Sequence, residues 1–174
     1  MNYATIKPCD VANGPGVRVS LFVSGCNHRC PGCFNAEAWD FSYGELFTEA
    51  TEERILTALS PSYIKGFSLL GGEPFDPANQ STLAPFLERI RAQYPQKTVW
   101  CYTGYVLEDL ISGKVGDKET ALRMLSSIDV LVDGRFVQEL KNLSLRFRGS
   151  ANQRILDLPA SLREGKPILI PEYL

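Results

Sequence analysis

Histidine is nearly missing from this chain: His28 is the only one in 174 residues. It falls inside a tight cysteine-rich loop and reads as a loop residue, so no side chain stands out as a general acid or base. Charge of one sign is also lacking. Eighteen basic residues face 20 acidic ones, for a formal net charge of −2. That balance excludes nucleic-acid binding driven by bulk charge, and Arg146, Arg148 and Arg154 make a local patch at most. No apolar run is long enough to cross a bilayer, and Met1 to Lys7 lacks the apolar core of a signal peptide. The chain is therefore expected in the cytoplasm, away from membranes. Internal repeats, low-complexity tracts and linkers are absent too, and 174 residues suit one domain, residues 1–174.

Cysteine is what the chain does have. In a cytoplasmic protein five cysteines point to metal binding or catalysis more than to a disulfide framework. Three of them, Cys26, Cys30 and Cys33, lie within eight residues. Four thiolates normally saturate an iron–sulfur cubane, so three on one loop leave one iron with an open position, as catalysis requires. Pro31 and Gly32 let the loop turn tightly. Structural zinc, with His28, Cys9 or Cys101 as fourth ligand, stays open as an alternative, although zinc sites usually come as two separated pairs and no second pair is present. A free thiol or a disulfide is the other alternative. Cys9 and Cys101 read as incidental or buried residues.

Apolar β-type runs alternate with amphipathic helical ones. Strands are expected at Val17–Val23, residues 67–70, Thr98–Tyr102 and residues 129–133, with a possible fifth at 145–148. Helices are expected near 51–60, 83–94, 107–111 and 119–128. The alternation predicts an α/β fold with a mostly parallel sheet, and the length suggests a partial, open (β/α) barrel rather than a complete one. Working loops in such folds lie at the C-terminal ends of strands. The cysteines, the turn from Gly71 to Pro74, Thr103-Gly104 and Asp133 all fall there.

The Cys-x-x-x-Cys-x-x-Cys spacing after a first strand, followed by Gly71-Gly72-Glu73-Pro74 after the second, resembles the radical S-adenosylmethionine enzymes. Asn13-Gly14-Pro15-Gly16-Val17-Arg18 resembles, within that superfamily, the activating enzymes of glycyl radical enzymes. The blocks 21–26, 30–35, 102–105, 132–136 and 148–153 are similar to activases whose protein substrate is an anaerobic ribonucleoside-triphosphate reductase.

The resemblance implies one 4Fe–4S cluster per chain on Cys26, Cys30 and Cys33, with S-adenosyl-L-methionine on the open iron. Reductive cleavage then gives a 5′-deoxyadenosyl radical that takes hydrogen from a glycine of the reductase. It also implies an electron donor such as a flavodoxin or ferredoxin. Gly71 and Gly72 would allow close backbone approach to the methionine moiety, and Glu73 would accept from its ammonium, unless it is simply a loop charge. Asp133 and Arg135 would meet ribose and carboxylate groups, Asp133 having a turn-starting role as its alternative. Ser150 and Asn152 would add polar contacts. In that superfamily the residue before the third cysteine is often aromatic and lies near the adenine. Here it is Gly32, so Phe34 beside Cys33 is the substitute. Asn13, Gly14, Gly16 and Arg18 would face the partner, a solvated strand position being the alternative for Arg18. An activase of another glycyl radical enzyme, or a metal-binding module without catalysis, remains as a competing reading.

Overall fold

The structure is a computed structural model and describes residues 1–173. One seven-stranded sheet organises it, in the order β3-β1-β2-β4-β5-β6-β7. The strands are β1 (Asn2–Asp10), β2 (Val17–Val23), β3 (Glu45–Leu46), β4 (Ile64–Gly71), β5 (Thr98–Tyr102), β6 (Val130–Asp133) and β7 (Arg154–Asp157). Between and after them lie α1 (Glu49–Leu59), α2 (Pro77–Gln93), α3 (Leu107–Ser112), α4 (Lys118–Ser126) and α5 (Leu158–Glu164).

The α/β class is as expected, but the mostly parallel sheet is not. β2, β4, β5 and β6 pair in parallel. Both flanks are antiparallel: β3 on β1, β1 on β2, and β7 on β6. The sheet is open, as expected, with β3 and β7 as its separate edges, but its antiparallel flanks do not confirm a (β/α) barrel. β1 escapes the hydrophobic pattern because it buries only Tyr3 and Asp10 fully, which is no alternating apolar face. Residues 145–148 form no strand. Phe147 has a left-handed φ of +56°, and Asn142 N–H bonds to Gly149 O to close a loop instead. The strand that pairs beyond β6 is β7 instead.

Side chains alternate across the strands, and the two faces differ in kind. One face carries Val19, Leu21, Phe67, Leu69, Val99, Cys101 and Leu131, and all five helices contribute buried residues to this same cluster. Asp76 and Asp117 cap α2 and α4 by accepting from the backbone N–H groups of Ala78 and Thr120, as helix N-termini require. The other face carries Arg18, Ser20, Ser68, Trp100 and Tyr102. There Trp100 packs edge-on to Phe147 and Tyr173, ring centroids 5.3 and 5.8 Å away. The tail containing Pro167 to Tyr173 covers this side, with Leu169 bridged to Leu156 of β7.

Arg18 is a correction to the expected partner-facing group: it is 0% exposed. Its Nε donates to Ser68 Oγ at 2.7 Å, and its Nη2 donates to the carbonyls of Phe67 and Thr98 at 2.7 and 2.9 Å. Burial pulls the guanidinium down to about 10. Ser68 in turn donates to Asn13 O at 2.6 Å, so Arg18 holds the 13–16 turn from beneath. Replacing it strands several buried polar groups. Arg18→Met should lower the unfolding free energy by about 3 kcal/mol, read from the urea midpoint. Arg18→Lys should recover only part of that, because an ammonium cannot reach all three partners at once.

Candidate metal centre

β2 ends at Val23 and the chain leaves the sheet through Ser24 and Gly25. Gly25 takes a left-handed φ of +93°. Backbone bonds then fix the start of the cysteine loop. Gly25 N–H donates to Ala38 O at 2.8 Å and Cys26 N–H to Trp39 O at 3.1 Å. Asn27 Nδ2 donates to Asp76 Oδ2 at 2.9 Å, tying the loop to the start of α2. The next strand end is knitted to this one: Gly72 N–H donates to Val23 O at 2.7 Å and Glu73 N–H to Gly25 O at 2.8 Å. These contacts leave no room for side chains. A Cβ on Gly72 would lie 2.5 Å from Gly25 O, and one on Gly71 2.6 Å from Val23 N.

The result is a cavity of about 520 Å³ at the C-terminal ends of the parallel strands, lined by Cys26, Cys30 and Cys33 together. Burial pushes the Cys26 thiol up to about 11 and raises that of Cys30. A thiolate there needs compensation, and backbone donors provide it. The backbone N–H groups of His28 and Arg29 favour the Cys26 thiolate, and that of Phe136 favours the Cys30 thiolate. Arg135 adds positive charge near Cys30. Hydrogen bonds to thiolate sulfur are how proteins hold and tune iron–sulfur clusters. Among the described residues, no three His, Cys, Asp or Glu side chains gather tightly enough for a single metal ion. A zinc site draws its ligands to one point, whereas a cubane's cysteines stand around a larger body. Three cysteines of one loop lining one cavity suit the thiolate ligation of a cluster.

Gly32, Phe34, Gly71, Gly72, Glu73 and Asn13 line the same cavity. Gly32 has a φ of +71°, and a Cβ there would meet Gln138 Oε1 at 2.6 Å. The 138–140 turn therefore fills the space an aromatic residue would need. Phe34 stands at the mouth, 85% exposed. Gly14 is buried against Arg18 and Trp100, and Gly16 lies beside Lys65.

Four expected contacts do not reach the cavity wall. Asp133 is 0% exposed; it accepts from Arg154 Nε and from Leu107 N–H at the start of α3, each at 2.8 Å. Ser150 is also fully buried and accepts from Val137 N–H. Asn152 donates to Arg135 O, and Arg135 is exposed and is not among the lining residues. These residues brace the 134–137 turn, which delivers Phe136 to Cys30. His28, Thr103, Gly104, Phe147 and Arg148 also line the wall; the sequence placed Thr103 and Gly104 at a working strand end and His28 in the cysteine loop, but assigned none of the five a contact.

Glu73 is 1% exposed, and its carboxylate has four partners. Oε1 accepts from Thr103 Oγ1 at 2.7 Å and Phe75 N–H at 2.9 Å. Oε2 accepts from Gly104 N–H at 2.7 Å and His28 Nε2 at 2.9 Å. A carboxylate offers about four acceptor sites, so all of them are used.

A family model described as a 4Fe-4S single cluster domain matches residues 12–156. Anaerobic ribonucleoside-triphosphate reductase-activating proteins align over most of the chain. That of Haemophilus influenzae is 47% identical over 157 residues, 89% of this chain and 97% of the relative. The Escherichia coli K12 protein is 45% identical over 155 residues, 88% and 96% of the two chains. That of Enterobacteria phage T4 is 42% identical over 155 residues, 89% and 93%. The chain belongs to the anaerobic ribonucleoside-triphosphate reductase-activating protein family. Within this activating-protein fold, the family model runs from the turn beneath the cavity through β7, so it spans every strand that shapes the site except β1.

The close approach at Gly72 gives a direct test. Gly72→Ala should force the two strand-end turns apart at an overpacking cost of about 1–3 kcal/mol, read as a lower thermal midpoint. Iron bound per chain after anaerobic reconstitution should fall with it.

Proposed function

We propose that this chain is a glycyl-radical activase of the radical S-adenosylmethionine class, acting on an anaerobic ribonucleoside-triphosphate reductase. The observation that carries the reading is the meeting, in one cavity, of three cysteines with the Gly71-Gly72-Glu73 turn, in a chain whose relatives are named for activating that reductase. When bound, the cluster supplies one electron to S-adenosyl-L-methionine, whose cleavage yields methionine and a 5′-deoxyadenosyl radical that takes hydrogen from a glycine of the partner.

Cys26, Cys30 and Cys33 hold the cluster. Gly71 and Gly72 present bare backbone toward the methionine moiety, and Glu73, whose acceptor sites are already taken, fixes the surrounding turns instead of accepting from the ammonium. Phe34 and the backbone at Gly32 and Cys33 border the adenine side. Arg135 adds positive charge near Cys30. The turn at Asn13, Gly14 and Gly16 lies on the open face, where the partner glycine must come within contact of the radical carbon, because hydrogen transfer needs near-contact geometry. No side chain acts as a general acid or base. Residues 1–174 work as one domain in the cytoplasm, with a flavodoxin or ferredoxin as electron source. Among the described residues no helix is long and apolar enough to cross a membrane.

One anaerobic experiment tests this. The chain is reconstituted with iron and sulfide, reduced, and mixed with S-adenosylmethionine and the reductase, and the electron paramagnetic resonance spectrum is recorded. A glycyl doublet is the expected outcome, and Cys26→Ala, Cys30→Ala and Cys33→Ala should each abolish it. Release of 5′-deoxyadenosine without the doublet would point to a different target. Loss of both with stoichiometric zinc would point to a non-enzymatic metal site.

A further inference from the structure

His28 has no role in the chemistry above, yet it is among the most enclosed polar side chains of the site, with 5% of its side chain exposed. Three observations converge on it. Its Nε2 lies 2.9 Å from Glu73 Oε2 and, facing a carboxylate, donates. Its ring packs edge-on to Tyr105, centroids 4.4 Å apart. Gly104 leaves the space it occupies, since a Cβ there would come within 2.4 Å of the ring. The side chain is thus clamped between the ends of β4 and β5.

The backbone of the same residue faces the other way. The backbone N–H groups of His28 and Arg29 lie close enough to the Cys26 sulfur to favour its thiolate. Arg29 achieves this with a φ of +47°, a left-handed conformation that costs a non-glycine residue about 1–2 kcal/mol. Such strain persists only where the surroundings hold it. Cys26 holds the segment from one side. On the other side two side chains anchor it: Asn27 Nδ2 donates to Asp76 Oδ2, and His28 is the donor to Glu73 from the cysteine loop, the other three coming from Phe75, Thr103 and Gly104.

We propose that His28 is a positioning residue for the cluster: its bond to Glu73, beside the Asn27–Asp76 bond, holds the 27–29 backbone so that its N–H groups stay close to the Cys26 sulfur. The inference rests on the cluster reading above. Removing the anchor lets Arg29 relax, turns those donors away, and changes both the hold on iron and the potential of the cluster, which hydrogen bonds to sulfur set.

The test compares His28→Gln with His28→Met in the anaerobically reconstituted full chain. The two replacements have similar volume, but only glutamine keeps an N–H that can reach Glu73. The readouts are the rate of iron loss to excess chelator and the midpoint potential from a potentiometric titration. His28→Met should lose iron about 10- to 100-fold faster than the wild type, the usual size of an outer-shell effect, and its potential should shift. His28→Gln should restore most of both. The urea midpoints of the two variants are compared alongside, and equal values with unequal iron retention support positioning over a general loss of fold. Wild-type retention and potential in His28→Met overturn the inference alone. A wild-type chain that forms no cluster overturns the proposed function itself, and the inference with it.

Discussion

A carboxylate that is 1% exposed must be paired, since an isolated buried charge costs several kcal/mol. Glu73 meets that demand with donors from separate stretches of chain: its own turn at Phe75, the end of β5 at Thr103 and Gly104, and the cysteine loop at His28. Satisfying the charge therefore assembles the cavity. The same turn is stitched to the end of β2 through Gly72 and Glu73 backbone bonds to Val23 and Gly25. Three strand ends and the ligand loop are held by one group and its immediate backbone.

A second buried charge does the corresponding work lower on the same face. Arg18 reaches Ser68 on β4 and Thr98 on β5, and through Ser68 it supports the carbonyl of Asn13. The helix-covered face is conventional apolar packing, whereas the open face rests on polar and aromatic contacts among Arg18, Ser68, Trp100, Phe147 and Tyr173. This division leaves the open face free for a cavity without weakening the core that the helices share with the sheet.

The central architecture was legible because its signals are local. Val17–Val23 and Thr98–Tyr102 carry dense β-branched and aromatic runs, and their bounds match the observed strands. The three cysteines and the Gly71-Gly72-Glu73 turn announce themselves by spacing and by position after strands. β1 was not legible, because its partner contacts are backbone pairing with little apolar burial. The roles of polar residues were not legible either. Asp133 and Ser150 have the chemistry of ligand contacts, and the same oxygens serve equally well to accept from Arg154 or Val137. Arginine is seldom fully buried, and Arg18 becomes so only because its acceptors arrive from positions 50 and 80 residues away.

The segment that follows α5 has a consequence for behaviour in concentrated solution. β7 would otherwise end the sheet with free N–H and C=O groups, a template for pairing with another chain. Asp157 N–H instead donates to Ile168 O, and Ile170 N–H to Ile155 O, so the returning tail occupies that template. At the opposite margin β3 pairs only with Asn2 and Tyr3 of β1, and the rest of that edge carries Lys7 and Pro8, residues that disfavour pairing with a foreign strand. The sheet is open in topology, and its two margins resist edge-to-edge aggregation by different means.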